Sequence, residues 1–252
     1  MHRRAFVLGA SAAALAAGPA AGAKPKAADA LAHVKTVGVI STLGRAFTLQ
    51  FIGFTVFNNT EKPLPIEDWK IDERVEARVK AHLGARFEFR AVDYDPAAFA
   101  LPKKSVWGSP SAAKAVKDLP DQGLDAFILV TPQWTEEANY RRPFPIGGLG
   151  VIRDGDDMRG RPVDKVHAIY EITIVDAKTK AVLAQSHAAI PKKAAFGFAS
   201  PVRRMVVSQP RDDPATMPPQ RKYEIREEAE SLLDLSLDFT LFRMGLTGEP
   251  AA

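Results

Sequence analysis

Strand-like alternation and helix-like spacing of apolar residues take turns along this chain, and the switch points predict a mixed α/β protein. Residues 34–41 (VKTVGVIS) form an apolar, β-branched run that predicts a strand. After a turn at Leu43-Gly44-Arg45, residues 46–57 (AFTLQFIGFTVF) predict a longer second strand with Phe47, Leu49, Phe51, Gly53 and Thr55 on one face. Phe54 and Phe57 cannot share a face of a regular strand, which points to a bulge near Gly53. The two runs are expected to pair as an antiparallel hairpin. A loop follows at Asn58-Asn59-Thr60 and Pro63/Pro65. Ile71, Val75, Val79 and Leu83 then recur every four residues with charges between them, the pattern of an amphipathic helix. Asp68 or Asp72 is placed to cap it. Residues 87–92 predict a strand and residues 111–119 a short helix. Residues 126–130 (AFILV), an unbroken apolar run between Gly123 and Pro132, predict a buried central strand.

Strand, helix, strand, helix, strand in that order argues for a βαβ-type layer. The second half reads as hairpins: a short strand at 150–152, then longer ones at 166–175 and 181–190 joined across Asp176-Ala177-Lys178-Thr179-Lys180. Residues 191–222, rich in proline and charge, read as a long loop. Residues 224–243 close the fold with a helix whose expected core stripe is Leu232, Leu235, Phe239 and Phe242. The expected class is therefore α/β (α+β). It is a mixed β-sheet with β-hairpins at both ends of the domain, helices packed on it and a long C-terminal helix. One domain, 33–246, is expected after a tether at 24–32 and before a disordered tail at 247–252. A folded part of about 200 residues can bury one good core.

The first residues read Met1-His2-Arg3-Arg4-Ala5-Phe6-Val7-Leu8. The arginine pair, one spacer, Phe and two apolar residues resemble the twin-arginine (Tat-type) export signal, which a receptor reads as an address. An Ala- and Gly-rich apolar stretch follows over 5–17, too short for the roughly 20 apolar residues of a membrane span. Pro19 ends it, and Ala21-Gly22-Ala23 supplies a small-residue cleavage site, with cutting expected after Ala23. The resemblance implies export of an already folded protein to the periplasm.

Composition then narrows the chemistry. The chain has no cysteine, which excludes disulfides, thiolate metal sites and cysteine nucleophiles. The formal net charge is +4, and loss of Arg3 and Arg4 with the signal halves it. The basic balance is thus too weak to argue for nucleic acid. No later segment is long and apolar enough to span a membrane as a helix. The opening strands, the helix-bearing layer and the late run YEITIVDAKTKAVLA resemble the small α/β domains of bacterial envelope proteins. The families are the TolB N-terminal domain and the curli-secretion lipoproteins. The shared feature is a strand ending in Asp, a Thr-containing turn and a returning strand. The resemblance implies a binding or assembly module with no catalytic residue to carry over; an envelope protein is the expected partner, and no cofactor is expected. The lipobox cysteine of the lipoprotein members is missing here.

Candidate chemistry is sparse. Gly147-Gly148-Leu149-Gly150 lies between strands, not between a strand and a helix, so it reads as a turn leading into a strand and not as a phosphate loop. Asp93 and Asp95 follow one predicted strand, and Thr131 and Gln133 another. Ligands of open α/β sheets sit beyond the carboxyl ends of strands. A hydrolase or small-ligand site is the alternative function, with Asp93, Asp95 and Thr131 as its residues, although Tyr94-Asp95-Pro96 is also an ordinary strand-to-turn exit. His167 and Glu171 share a strand face. A hairpin centred on Lys178 sets His187 opposite Ile169, diagonal to both, so the three are candidate zinc ligands or else a solvated face. Two basic-aromatic segments, 134–145 and 192–204, present Trp134, Tyr140, Arg141, Arg142, Phe196, Phe198, Arg203 and Arg204. Aromatic residues and Arg are enriched at interface hot spots. The bland reading has these aromatics pin long loops to the core.

Overall fold

The computed structural model describes residues 27–52, 59–101, 112–138, 143–154, 163–191, 198–204 and 213–248. The sheet is organised around one long strand, β8 (Val163–Asp176). Its first half pairs antiparallel with β7 (Pro143–Asp154) on one edge and with β12 (Val202–Arg204) on the other. Its second half pairs antiparallel with β5 (Ala126–Pro132) and β9 (Val182–His187). Two wings therefore meet along β8. In one, β5 continues in parallel to β1 (Thr36–Ser41), which pairs in parallel with β4 (Glu88–Phe89). In the other, β7 runs parallel to β2 (Phe47–Ile52), and β3 (Thr60–Leu64) closes the edge antiparallel. β6 (Trp134–Ala138) folds back on the first half of β7, and short β10 (Ile190–Pro191) pairs with β11 (Phe198–Ala199). Pro63 sits in edge strand β3, where a missing N–H is tolerated and further pairing is discouraged.

Among the helices, α1 (Ala27–Ala30) and α3 (Ala112–Ala115) are single turns. α2 (Ile71–Leu83) and α4 (Pro219–Arg243) form the layer on one face of the sheet. Alternation along β8 sends Val166, Ala168, Tyr170, Ile172 and Ile174 into that layer, against the expected stripe of α2 and a stripe of α4. Fully burying one such side chain contributes roughly 1.5–3 kcal/mol. The opposite face holds two smaller clusters. Phe99, Val116 and Leu124 cover Ile40, Phe127, Leu129 and Val175, while Ile52, Ile146, Ile152 and Ile169 pack together on the other wing.

The class is the expected one: α+β, a mixed sheet with a C-terminal helix. Several elements differ in detail. β1 and β2 do not pair, so the expected opening hairpin is replaced by a crossing from one wing to the other. The 3-10 turn Leu43–Arg45 between them buries Leu43 and redirects the chain. The bulge expected at Gly53 lies outside the described residues. Neither Asp68 nor Asp72 caps α2. Lys70 takes the cap position in left-handed conformation at φ 55°, while the Asp72 carboxylate accepts from Ser41 Oγ at 2.6 Å and Gly44 N–H at 3.1 Å. The stripe of α4 is rotated from the expected one. Leu232 is buried, but it shares the core side with Ile225, Ala229, Leu233, Ser236, Leu237, Thr240 and Leu241, and Leu235 is exposed. Residues 24–32 are not wholly a tether, because α1 lies within them and Leu31 is buried in the main core. Residues 191–222, expected as one loop, contain β11, β12 and the first turn of α4.

Candidate functional site

The carboxyl edge of the parallel strands β4, β1 and β5 is where the sequence placed Asp93, Asp95 and Thr131. The chain leaving β4 folds back over that edge. Tyr94 donates its hydroxyl to the Ser41 carbonyl at 2.9 Å, and Thr42 donates to the Phe99 carbonyl at 2.7 Å. The Tyr94 and Phe99 rings meet edge to face, with centroids 5.9 Å apart, and Phe99 is buried. Burial together with the nearby Asp72 carboxylate pushes the Tyr94 phenol up, keeping it a neutral donor. Asp95 accepts from Ala97 N–H at 2.9 Å and so caps the 3-10 turn Pro96–Phe99. Asp93 is exposed, and its backbone N–H and C=O are both bonded to the Gln122 amide. Thr131 lies at the same edge near the end of β5, next to Val130, whose carbonyl accepts from Thr42 N–H at 3.4 Å; it is buried and directly opposite Glu171 on β8. The two aspartates are engaged locally, Asp95 in its own turn and Asp93 through its backbone, while Tyr94, Phe99 and Thr42 cover the edge between them and Thr131.

Glu171 and His187 do meet. The register sets them directly opposite each other, not His187 opposite Ile169, because the turn is centred between Lys178 and Thr179 and an irregularity at Ile174/Val175 adds one further residue on the β9 side. His187 Nδ1 lies 3.4 Å from Glu171 Oε2, and Thr173 donates its hydroxyl to Glu171 Oε1 at 2.9 Å. His167 stands apart. Its ring is fully buried, with Nδ1 3.1 Å from the Gly148 carbonyl, and burial holds its pKa down at about 4. The imidazole is thus neutral, and Nδ1 is the protonated nitrogen if it donates to that carbonyl. His167 Nε2 and Thr131 Oγ1 are buried without a hydrogen-bond partner. Among the described residues no three His, Asp or Glu side chains gather as metal ligands would.

The glycine cluster is neither a phosphate loop nor a turn before a strand; it lies inside β7. A Cβ on Gly150 would stand 2.7 Å from His167 Nε2 and 2.5 Å from the Thr48 carbonyl, and one on Gly147 would stand 2.7 Å from the Trp134 ring. These glycines make room for an imidazole and an indole. Of the contact residues, Trp134 therefore packs on its own hairpin. Arg203 is tied to α4, donating to the Glu228 carboxylate at 2.7 Å, with its Nε buried and unpartnered. Trp134 fits the pinning role expected of the aromatics, whereas Arg203, expected as a contact residue, is engaged within the fold. Phe198 and Arg204 lie in β11 and β12, and Tyr140, Arg141, Arg142 and Phe196 fall outside the described residues.

A cleft lies on the β3–β2–β7 wing, and none of the described residues lining it is an expected site residue. It measures about 220 Å³ and is lined by Leu49, Gln50, Phe51, Thr60, Lys62, Val151, Arg153 and Asp213. Lys62 donates to Asp213 at 2.8 Å. Arg153 makes two parallel bonds to Asp164, each 2.5 Å, and Arg221 of α4 reaches the same carboxylate at 2.9 Å. Arg153, Asp164 and Arg221 are all buried, so the bidentate geometry is what offsets their desolvation. The signal was present in the pattern. Arg153 follows Leu149 and Val151 on one strand face, and Asp164 precedes Val166 and Ala168 on the next, each a charge ending an apolar row.

No protein-family model matches the chain, and a comparison with curated proteins finds no match either.

Proposed function

We propose that this chain is a periplasmic, non-enzymatic interaction or assembly module of the cell envelope, delivered folded by its twin-arginine signal. The observation that carries the reading is the covered edge of the parallel strands. A sheet of this type offers its ligand site there, and here Phe99, Tyr94 and Thr42 occupy it while Asp95 serves its own turn. That counts against the hydrolase or small-ligand alternative at Asp93, Asp95 and Thr131. The late hairpin supports the likeness to envelope modules: Asp176 ends β8, and its carboxylate accepts from Lys178 and Thr179 N–H at 3.0 and 2.7 Å. No helix among the described residues is long and apolar enough to cross a membrane.

In this reading the partner, an envelope protein, meets Tyr140, Arg141, Arg142, Phe196, Phe198 and Arg204, with Trp134 and Arg203 fixing the bases of the two segments. The test is photo-crosslinking in the native envelope, with the crosslinker at Arg142 or Phe196 and at exposed Glu73 of α2 as the control. One protein captured from the first two positions and not from the third is expected. Equal capture at all three, or none, overturns the proposal.

A further inference from the structure

The cleft on the β3–β2–β7 wing has one apolar wall and one charged wall. Leu49, Phe51 and Val151 line it from neighbouring strands, while Lys62 and Arg153 bring cations to its polar side. Asp213 sets its carboxylate into the same cleft, 2.8 Å from Lys62 Nζ. We propose that the cleft binds a small organic monocarboxylate with an apolar body, whose carboxylate replaces that of Asp213 on Lys62.

Three features carry this. First, Lys62 and Asp213 are both nearly half exposed, at 45% and 47% of their side chains, so the pair that must open is a weak one. The other Asp213 oxygen accepts from Ala215 N–H at 3.1 Å, so its carboxylate keeps a partner when Lys62 turns to the ligand. Second, the apolar wall gives the incoming acid what Asp213 lacks, a surface on which to bury carbon. Third, the inner end is held rigid. Arg153 is clamped by Asp164, which Arg221 also holds, so the guanidinium keeps its place whether or not a ligand is present. Glu224, 3.6 Å from Arg221, answers that second arginine from the more exposed side. The volume, about 220 Å³, lies below the roughly 300–1,000 Å³ of sites for drug-sized ligands, which limits the body to one or two rings. The site is distinct from the loops assigned above to a protein partner, and either proposal stands without the other.

The experiment is a titration of the full chain with 2-naphthoate, followed by NMR of the methyl groups of Leu49 and Val151. The neutral 2-naphthamide serves as the control. Saturable shifts at both methyls with a dissociation constant below about 1 mM are expected, and binding of the amide at least about tenfold weaker. Lys62→Ala should weaken naphthoate about tenfold. Asp213→Asn should strengthen it by about threefold to fivefold, because the internal competitor is removed. Both positions are half exposed, so both variants should keep the wild-type spectrum elsewhere. Shifts that do not saturate, equal binding of acid and amide, or no gain in affinity for Asp213→Asn would each overturn the proposal.

Discussion

At the scale of single residues, the most constrained contact is the one between His167 and Gly150. The added methyl of Gly150→Ala would meet the Thr48 carbonyl at 2.5 Å, a backbone atom in a paired strand that has no rotamer to move. The expected cost is about 1–3 kcal/mol, read as a lower urea midpoint at unchanged slope. The histidine itself makes stability depend on pH. Its folded pKa of about 4 lies below the ordinary value of 6.5, so between those limits the unfolded chain takes up a proton that the folded chain refuses. Stability is full above pH 6.5 and falls as pH drops towards 4, by about 1.4 kcal/mol per unit and about 3 kcal/mol in all. Urea melts of wild type and His167→Gln across this window should differ in slope, and parallel curves would refute the assignment. Asp176 loses its contribution in a lower window. Its backbone hydrogen bonds hold its carboxyl at about 2, so that contribution is present above about pH 4 and lost towards 2. His167 was visible in the sequence only as one of three possible metal ligands. Its burial follows from Gly150, its direct partner on the neighbouring strand, and that pairing is not a local property.

At the scale of elements, α2 was legible and α4 was not, for a physical reason. The stripe of α2 is apolar and its remaining faces are charged. On α4 the buried side includes Ser236 and Thr240. The Tyr170 hydroxyl lies 2.7 Å from Ser236 Oγ, Ser236 donates to the Leu233 carbonyl, and Thr240 accepts from the Ala189 N–H. Hydrogen bonds to β8, to the chain after β9 and within the helix thus allow polar residues in the core, while the large Phe239 and Phe242 side chains lie on a flank where their rings meet, centroids 6.2 Å apart. Size and hydrophobicity pointed to the flank and packing chose the other side. The two helices are also laced by charge, with Arg74 to Asp234 and Glu230, and Arg78 and His82 to Asp238. These guanidinium groups are more than a third exposed, so each pair contributes little individually. A double-mutant cycle on Arg78 and Asp238 should return a coupling of about 1 kcal/mol or less that shrinks in high salt. By contrast, Leu233→Ala should cost about 2–5 kcal/mol, and Leu235→Ala, one turn face away, within about 0.5 kcal/mol. Similar losses at both positions would mean that the helix is rotated from its described setting.

At the scale of the whole molecule, the sheet is assembled from distant parts of the chain. β1 finds β5 and β2 finds β7, partners about 90 and 100 residues away, so the two adjacent runs that read as a hairpin are pulled into different wings. The class was legible because it depends on local periodicity, and the pairing was not because it depends on closure of those long loops. A sheet of such non-local contacts is complete only when the entire domain has folded, and this bears on export. In the proposed export route the carrier receives the domain after β8 has joined both wings. Replacing Arg3 and Arg4 with Lys should then leave a folded precursor in the cytoplasm and remove the shorter form from the periplasmic fraction. The two α4 variants separate this from export of an unfolded chain. With the signal intact, Leu233→Ala should lower the exported fraction in step with its lost stability, whereas Leu235→Ala should be exported like wild type. Equal export of the two variants, with the arginine replacements silent, would mean that the chain crosses unfolded and that the arginine pair is not the address.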